Sequence, residues 1–271
     1  MNNEPITKPN EHAWWTTRRG ASAVVGTAIH DGSLVRDDIA AQMSITDDDR
    51  LREEDPFTAE MIGDLPNQVI VHRSRFEVDL NRPRDGAIYV RPEQAWGMRI
   101  WREPPSSNSI DQSLRVHESY YSMLESYLRD IEAQHGQFVV LDVHSYNHRR
   151  DGPSAKPSPA ADAPEVNIGT FSMDRDRWRA VVDAFSSYVR EFDFLGRRLD
   201  VGENIAFQGR GEQTRFIHER FPSTGCALAI EFKKFFMDEW TGVPDRRAVA
   251  ALRNLISGSV PVLEKVLKGA P

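Results

Sequence analysis

His30-Asp31-Gly32 and Asp142-Val143-His144-Ser145 each place a histidine at the end of an apolar run that reads as a buried strand. In a doubly wound sheet the carboxyl ends of the strands form the ligand crevice, so histidines far apart in sequence can converge there. Two histidines completed by a carboxylate, with one position left open, make up a catalytic zinc site. A single histidine carries no such meaning, since most are satisfied surface or core groups. The cluster Glu53-Glu54-Asp55 offers the missing carboxylate. It also fits a plain helix start, with Asp55 as cap and Pro56 in the first helical position.

The segment Ser74-Arg75-Phe76-Glu77-Val78-Asp79-Leu80-Asn81-Arg82 follows another strand-like run. Arg75, Asn81 and Arg82 supply fork-like donors suited to a carboxylate and to a developing oxyanion. The plainer reading pairs Asp79 with Arg75 or Arg82 to tie down a loop. Glu231 lies inside the apolar run ALAIEF, just before Lys233 and Lys234. A carboxylate there is costly unless it is paired, sits near a metal or moves a proton. On an edge strand it would instead face solvent, with Ile230 and Phe232 inward.

Other matches carry less. Asp142, His144 and Ser145 are the residue types of a serine hydrolase triad, but no G-x-S-x-G elbow occurs and neighbours on one strand cannot form that geometry. Gly209-Arg210-Gly211 is too short for a phosphate loop. Cys226 reads as a small core residue, and His117, on an apolar helical stripe, as a buried hydrogen-bonded group.

The elements that must position these residues are four strand-like runs at 22–29, 69–72, 138–143 and 227–232, alternating with amphipathic helices. One helix aligns Leu114, His117, Tyr121, Leu124, Leu128 and Ile131; a second aligns Trp178, Val181, Val182, Phe185, Val189 and Phe192. A third, over 246–267, should break or kink at Gly258 and Pro261, and 34–43 predicts a short helix. Residues 149–165 (RRDGPSAKPSPAADAPE) have no apolar period and read as a mobile loop or lid. Residues 1–20 read as an N-terminal extension.

Composition narrows the partners. With 34 Lys plus Arg against 41 Asp plus Glu, the formal charge is −7 and no long run has one sign. That argues against nucleic acid or an anionic membrane as partner and favours a small or peptidic ligand. A lone cysteine, no signal-like N-terminus and no bilayer-length apolar window lead to the expectation of a cytoplasmic protein.

In chain order, the sequence resembles the N-formylglutamate amidohydrolase family and, more distantly, the zinc carboxypeptidases and aspartoacylases. SRFEVDLNR (74–82) is similar to the family's S-R-x-x-x-D-x-N-R signature, and FVVLDVHS (138–145) to its strand ending in His-Ser. AIHDG (28–32), EEDPFT (53–58), ENIAFQGRG (203–211) and ALAIEF add weaker support. The resemblance implies a single α/β domain with a mixed, mostly parallel sheet and helices on both faces, like the phosphorylase/hydrolase-like fold of zinc carboxypeptidases. It implies one zinc per chain held by His30, His144 and a carboxylate, with Glu231 as general base, Arg75 polarising the scissile carbonyl and Asn81 and Arg82 holding the substrate α-carboxylate. Ser33 stands where the carboxypeptidase pattern has its glutamate ligand, so that ligand is assigned to Asp55, with Glu54 or Asp31 as alternatives. The implied activity is zinc-dependent hydrolysis of an N-acyl amino acid such as N-formylglutamate. Its rivals are a metallopeptidase or deacylase acting on a modified peptide, and a metal-free carboxylate-binding protein.

Overall fold

Alternating side-chain direction along two long central strands decides how this chain layers. The computed structural model describes residues 13–269. The strands are β1 (Trp15–Arg18), β2 (Val24–Ala28), β3 (Asn67–Val71), β4 (Phe138–Tyr146), β5 (Val166–Gly169), β6 (Val201–Glu203) and β7 (Gly225–Lys233). The helices are α1 (Asp37–Ala40), α2 (Asp47–Glu53), α3 (Thr58–Met61), α4 (Ser107–His135), α5 (Arg179–Glu191), α6 (Glu212–Arg220) and α7 (Arg246–Gly269). All seven strands form one sheet in the order β1-β3-β2-β4-β7-β5-β6. The β1–β3 and β5–β7 pairs are antiparallel and the remaining neighbours parallel, a mixed but mostly parallel sheet.

On β4, Val139, Leu141 and Val143 enter one core with α3, α5 and α7, while Phe138 and Val140 enter another with α4 and α6. On β7, Cys226, Leu228, Ile230 and Phe232 share the first core and Ala227 the second. Helices therefore cover both faces, and the period of two assigns Asp142, His144 and Glu231 to the α4/α6 face. Because β4 and β7 are parallel with His144 opposite Glu231, those two side chains stand beside each other. Strand β7 is central, so the edge-strand alternative for Glu231 does not hold.

Several expectations need correction. Helix α7 runs unbroken through Gly258 and Pro261. A Cβ at residue 258 would lie 2.2 Å from the Tyr188 hydroxyl of α5, so glycine serves close helix packing there. The apolar stripe of Leu252, Leu255, Ile256 and Leu263 holds the helix across the proline. The helix expected over 34–43 is only the single turn α1. Within the 1–20 extension, residues 1–12 lie outside the described residues, whereas Trp15–Arg18 form an edge strand against β3. Strands β1, β5 and β6 were not expected from the apolar pattern.

Residues 149–165 contain no helix or strand. They are anchored nonetheless: Lys233 Nζ donates to the carbonyls of Ser158 (2.8 Å) and Ala163 (2.9 Å). Among the described residues, no helix is long and apolar enough to cross a membrane.

Candidate active site

A cleft of about 460 Å³ opens at the carboxyl ends of the parallel strands β3, β2, β4 and β7, and it collects most of the chemistry-bearing residues of the sequence. His30 follows β2, the Arg75–Arg82 segment follows β3, His144 sits near the end of β4 and Glu231 near the end of β7. Asp55 arrives from the loop between α2 and α3, its N–H donating to the His30 carbonyl at 2.9 Å. It does not cap a helix. Helix α3 begins three residues later, after Phe57 turns the backbone into the left-handed region at φ 72°, which frees the Asp55 carboxylate for the histidines.

Ligand atoms of His30, Asp55 and His144, all buried, lie within 4.8 Å of one another. His30 Nε2 is 2.7 Å from Asp79 Oδ1. A carboxylate only accepts, so Nε2 donates in this contact. The Nδ1 of the same ring is buried without a hydrogen-bond partner and stands 3.4 Å from Asp55 Oδ2. His144 is held the other way round: Nδ1 hydrogen-bonds Asp55 Oδ2 at 3.0 Å, while Nε2 stands 3.2 Å from Asp142 Oδ2, an oxygen with no hydrogen-bond partner. Two imidazoles that turn Nδ1 toward one shared aspartate, each with Nε2 beside a second buried carboxylate, form a donor set that fits a zinc ion able to displace the proton between them.

The electrostatics agree. Burial alone would raise the Asp55 carboxyl, but the hydrogen bond from His144 and the His30 imidazole beside it outweigh that and hold the group far below the usual carboxylate range. Burial would lower the His144 imidazole, but Asp142 and Asp55 together hold it well above its ordinary value. Such a histidine–aspartate proton is what a metal displaces on binding. Glu231, half-buried at the cleft wall, is pushed up to about 7 by burial, with the His144 charge opposing only in part.

Asp79 is the hub beneath the site. It receives His30 Nε2, Arg75 Nη2 at 2.9 Å, the Asn81 N–H at 2.8 Å and the Tyr89 hydroxyl. The loop-tying reading of Asp79 is therefore present in the structure, and it coexists with a place in the cleft for Arg75. The Arg82 side chain is 45% exposed, with Nε 3.7 Å from Asp79 Oδ2, so its donors remain open to a ligand. His117 Nε2 hydrogen-bonds the Arg82 carbonyl at 2.9 Å and fixes that turn from α4. Trp96, at φ 53° and 43% exposed, forms part of the wall beside the Arg75 and Arg150 guanidinium groups, 5.0 and 5.9 Å from its ring centre.

The two alternative carboxylates point elsewhere. Asp31 accepts the Ala59 N–H at 3.0 Å, at the start of α3. Glu54 accepts the Ser74 hydroxyl and lies 3.4 Å from Arg50.

Residues 22–237 match the N-formylglutamate amidohydrolase family. The chain belongs to that family. A crystal structure of N-formylglutamate amidohydrolase from Ralstonia eutropha JMP134 superposes with a TM-score of 0.74 at 16% identity, covering 94% of this chain and 99% of that one. The crystal structure of a gene product from Agrobacterium tumefaciens gives 0.63 at 15% identity, covering 96% of each chain. Both likenesses concern the fold. No curated protein matches the sequence.

Within this amidohydrolase-family fold, the supporting residues are the ones sequence reasoning passed over. Thr27 donates to Asp142 Oδ1 at 2.8 Å, Gln213 Nε2 reaches the same oxygen, and Tyr120 donates to Gln213. This buried network aims Asp142 at His144. The signal was available for Asp142, which lies two residues before His144 and so shares its face of the strand. Gln213 and Thr27 carried no such signal, because only the packing of α6 against the sheet brings them to Asp142.

Proposed function

We propose that this protein is a metal-dependent amidohydrolase that cleaves the amide bond of an N-acyl amino acid, with N-formylglutamate as the reference substrate. The observation that carries the reading is the convergence of His30, Asp55 and His144, each histidine backed by its own buried carboxylate. Family membership supports amide hydrolysis as the reaction.

His30, Asp55 and His144 would hold zinc, as in the zinc carboxypeptidases the sequence resembles. A zinc ion bound there supplies a Lewis acid and brings the pKa of water it binds toward about 7. Glu231, across from His144 on the neighbouring strand, takes a proton from the attacking water and returns it to the leaving amine nitrogen. Burial raises its carboxyl, which favours a group that both accepts and returns a proton. Arg75, clamped by Asp79 and stacked near Trp96, directs its remaining donors at the carbonyl oxygen as negative charge develops there. Asn81 and Arg82 orient the substrate by its α-carboxylate, and Asp79 positions this whole segment together with His30. The apolar ring of Trp96 and the aromatic pair Tyr146–Phe207, with centroids 5.2 Å apart, limit water around the scissile bond.

The test pairs elemental analysis with turnover of N-formyl-L-glutamate, wild type beside His144→Ala. About one zinc per chain and formate release, both lost in the variant, is the expected result. A wild type that takes up no zinc and releases no formate would leave only the carboxylate-binding reading.

A further inference from the structure

The Gly209-Arg210-Gly211 turn has no part in the centre described above, yet its backbone is fitted closely on both sides. Gly209 has φ 73°, and a Cβ there would lie 2.6 Å from the Gly169 carbonyl carbon at the end of β5. A Cβ on Gly211 would lie 2.3 Å from Asn81 Oδ1. Asn81 in turn accepts the Glu212 N–H at its carbonyl (3.0 Å) and the Gln213 N–H at Oδ1 (3.2 Å). The Thr214 hydroxyl, within reach of the Gly209 and Gly211 carbonyls at 3.2 and 3.1 Å, closes the turn. Arg210 is thus pinned between the end of β5 and the Asn81–Arg82 turn, at the wall of the cleft.

Its guanidinium lies 3.6 Å from the ring centre of Phe171, a phenylalanine 58% exposed. Stacking fixes the plane of the guanidinium and leaves its in-plane donors free. Among the described residues, no carboxylate pairs with Arg210. The other cleft cations are committed: Arg75 to Asp79 at 2.9 Å, Arg150 to Glu53 at 3.2 Å, and Lys234 to the carbonyls of Arg52 and Glu54 at 2.6 and 2.7 Å. Two cleft guanidinium groups have no carboxylate within hydrogen-bond distance among the described residues, Arg82 and Arg210, one on each side of the Asn81 contact. A ligand with a single carboxylate would occupy only one of them.

We infer that Arg210 is a specificity residue that binds a second carboxylate, the side-chain acid of an N-acyl dicarboxylic amino acid whose α-carboxylate is held by Asn81 and Arg82. This rests on the amidohydrolase reading of the site. The short glycine-flanked turn then serves to hold one arginine rigidly, and the exposure of Phe171 is explained as the platform on which that arginine lies.

The test compares kcat/KM for N-formyl-L-glutamate and N-formyl-L-glutamine in the zinc-loaded wild type, Arg210→Met and Arg210→Lys, alongside calorimetric binding of L-glutamate and L-glutamine. Arg210→Met keeps an apolar chain against Phe171 and removes the fork; the glutamate-over-glutamine ratio should fall about 100-fold, mainly through KM. Arg210→Lys should recover part of the ratio, since charge returns without the fork. An unaltered ratio in Arg210→Met, or a wild type indifferent to the side-chain acid, would overturn the inference. If neither amide is hydrolysed but L-glutamate binds in preference to L-glutamine, and Arg210→Met loses that preference, the carboxylate site stands and the hydrolase reading falls.

Discussion

Asp142→Asn isolates the contribution of the carboxylate behind His144. Asn keeps the volume of Asp, and its Oδ1 can still accept from the Thr27 hydroxyl, now at 2.8 Å, and from Gln213. The folded core should therefore lose little. What changes is the group 3.2 Å from His144 Nε2, where the second oxygen of Asp142 becomes an NH2. A donor then faces a donor, so Nε2 loses the acceptor that would keep its proton when a metal takes Nδ1, and the ring keeps its proton on Nδ1, the nitrogen hydrogen-bonded to Asp55. A protonated Nδ1 cannot bind metal. Loss of a carboxylate behind a metal-ligating histidine costs roughly 10- to 100-fold in metal affinity, or about 1.4–2.8 kcal/mol. Zinc competition against a chromogenic chelator measures this directly, and melting of the metal-free protein checks the fold. Zinc affinity equal to wild type, with the fold intact, would refute the claim that Asp142 sets the His144 tautomer. Asp142→Ala is a poorer test because it strands both Thr27 and Gln213.

Glu231→Gln should lower turnover of N-formyl-L-glutamate by about 10²–10⁴-fold while one zinc per chain is retained; loss of the metal would make Glu231 a ligand instead. A third expectation concerns acid stability. His218 is buried, with Nε2 accepting the Ala227 N–H at 2.9 Å and Nδ1 3.0 Å from the Ser172 hydroxyl, and burial lowers its pKa from 6.5 to about 4. The unfolded chain therefore binds the proton more readily. The stabilisation is complete above about pH 6.5 and is lost as pH falls toward about 4, at most about 3 kcal/mol. His218→Gln can still accept from Ala227, and its melting temperature should decline less steeply over that window; an identical decline would place the acid sensitivity elsewhere.

The histidines were legible because each ends an apolar run, and a strand that turns polar at its carboxyl end marks the crevice of an α/β sheet. Glu231 was legible for the complementary reason, a charge among apolar neighbours. Which of Asp31, Glu54 and Asp55 lies beside the two histidines was not, since it depends on which backbone and side-chain groups occupy the first two: Ala59 N–H for Asp31, and Ser74 for Glu54. Asp79 is separated by nearly fifty residues from the histidine it holds, and no local pattern links them. Strands β5 and β6 are only 4 and 3 residues long, too short to show an alternation. Strand β1 is largely exposed and has no apolar run to reveal it. The continuity of α7 reflects a tertiary contact, Gly258 against Tyr188, that overrides the local helix-breaking preference.

The adjacent lysines that end β7 and follow it give the fold a mechanical property. Lys233 holds the 149–165 segment by two carbonyls, and Lys234 holds the carbonyls of Arg52 and Glu54, directly before Asp55. Both ammonium groups are sequestered, and both tethers share an origin with the strand that carries Glu231. A fluctuation that displaces the end of β7 releases the loop, the acidic segment and Glu231 together, so these parts should exchange their amide hydrogens as one cooperative unit. The two amines also become reactive only in that opened state, which makes their rate of chemical labelling a clock for how often the cleft comes apart.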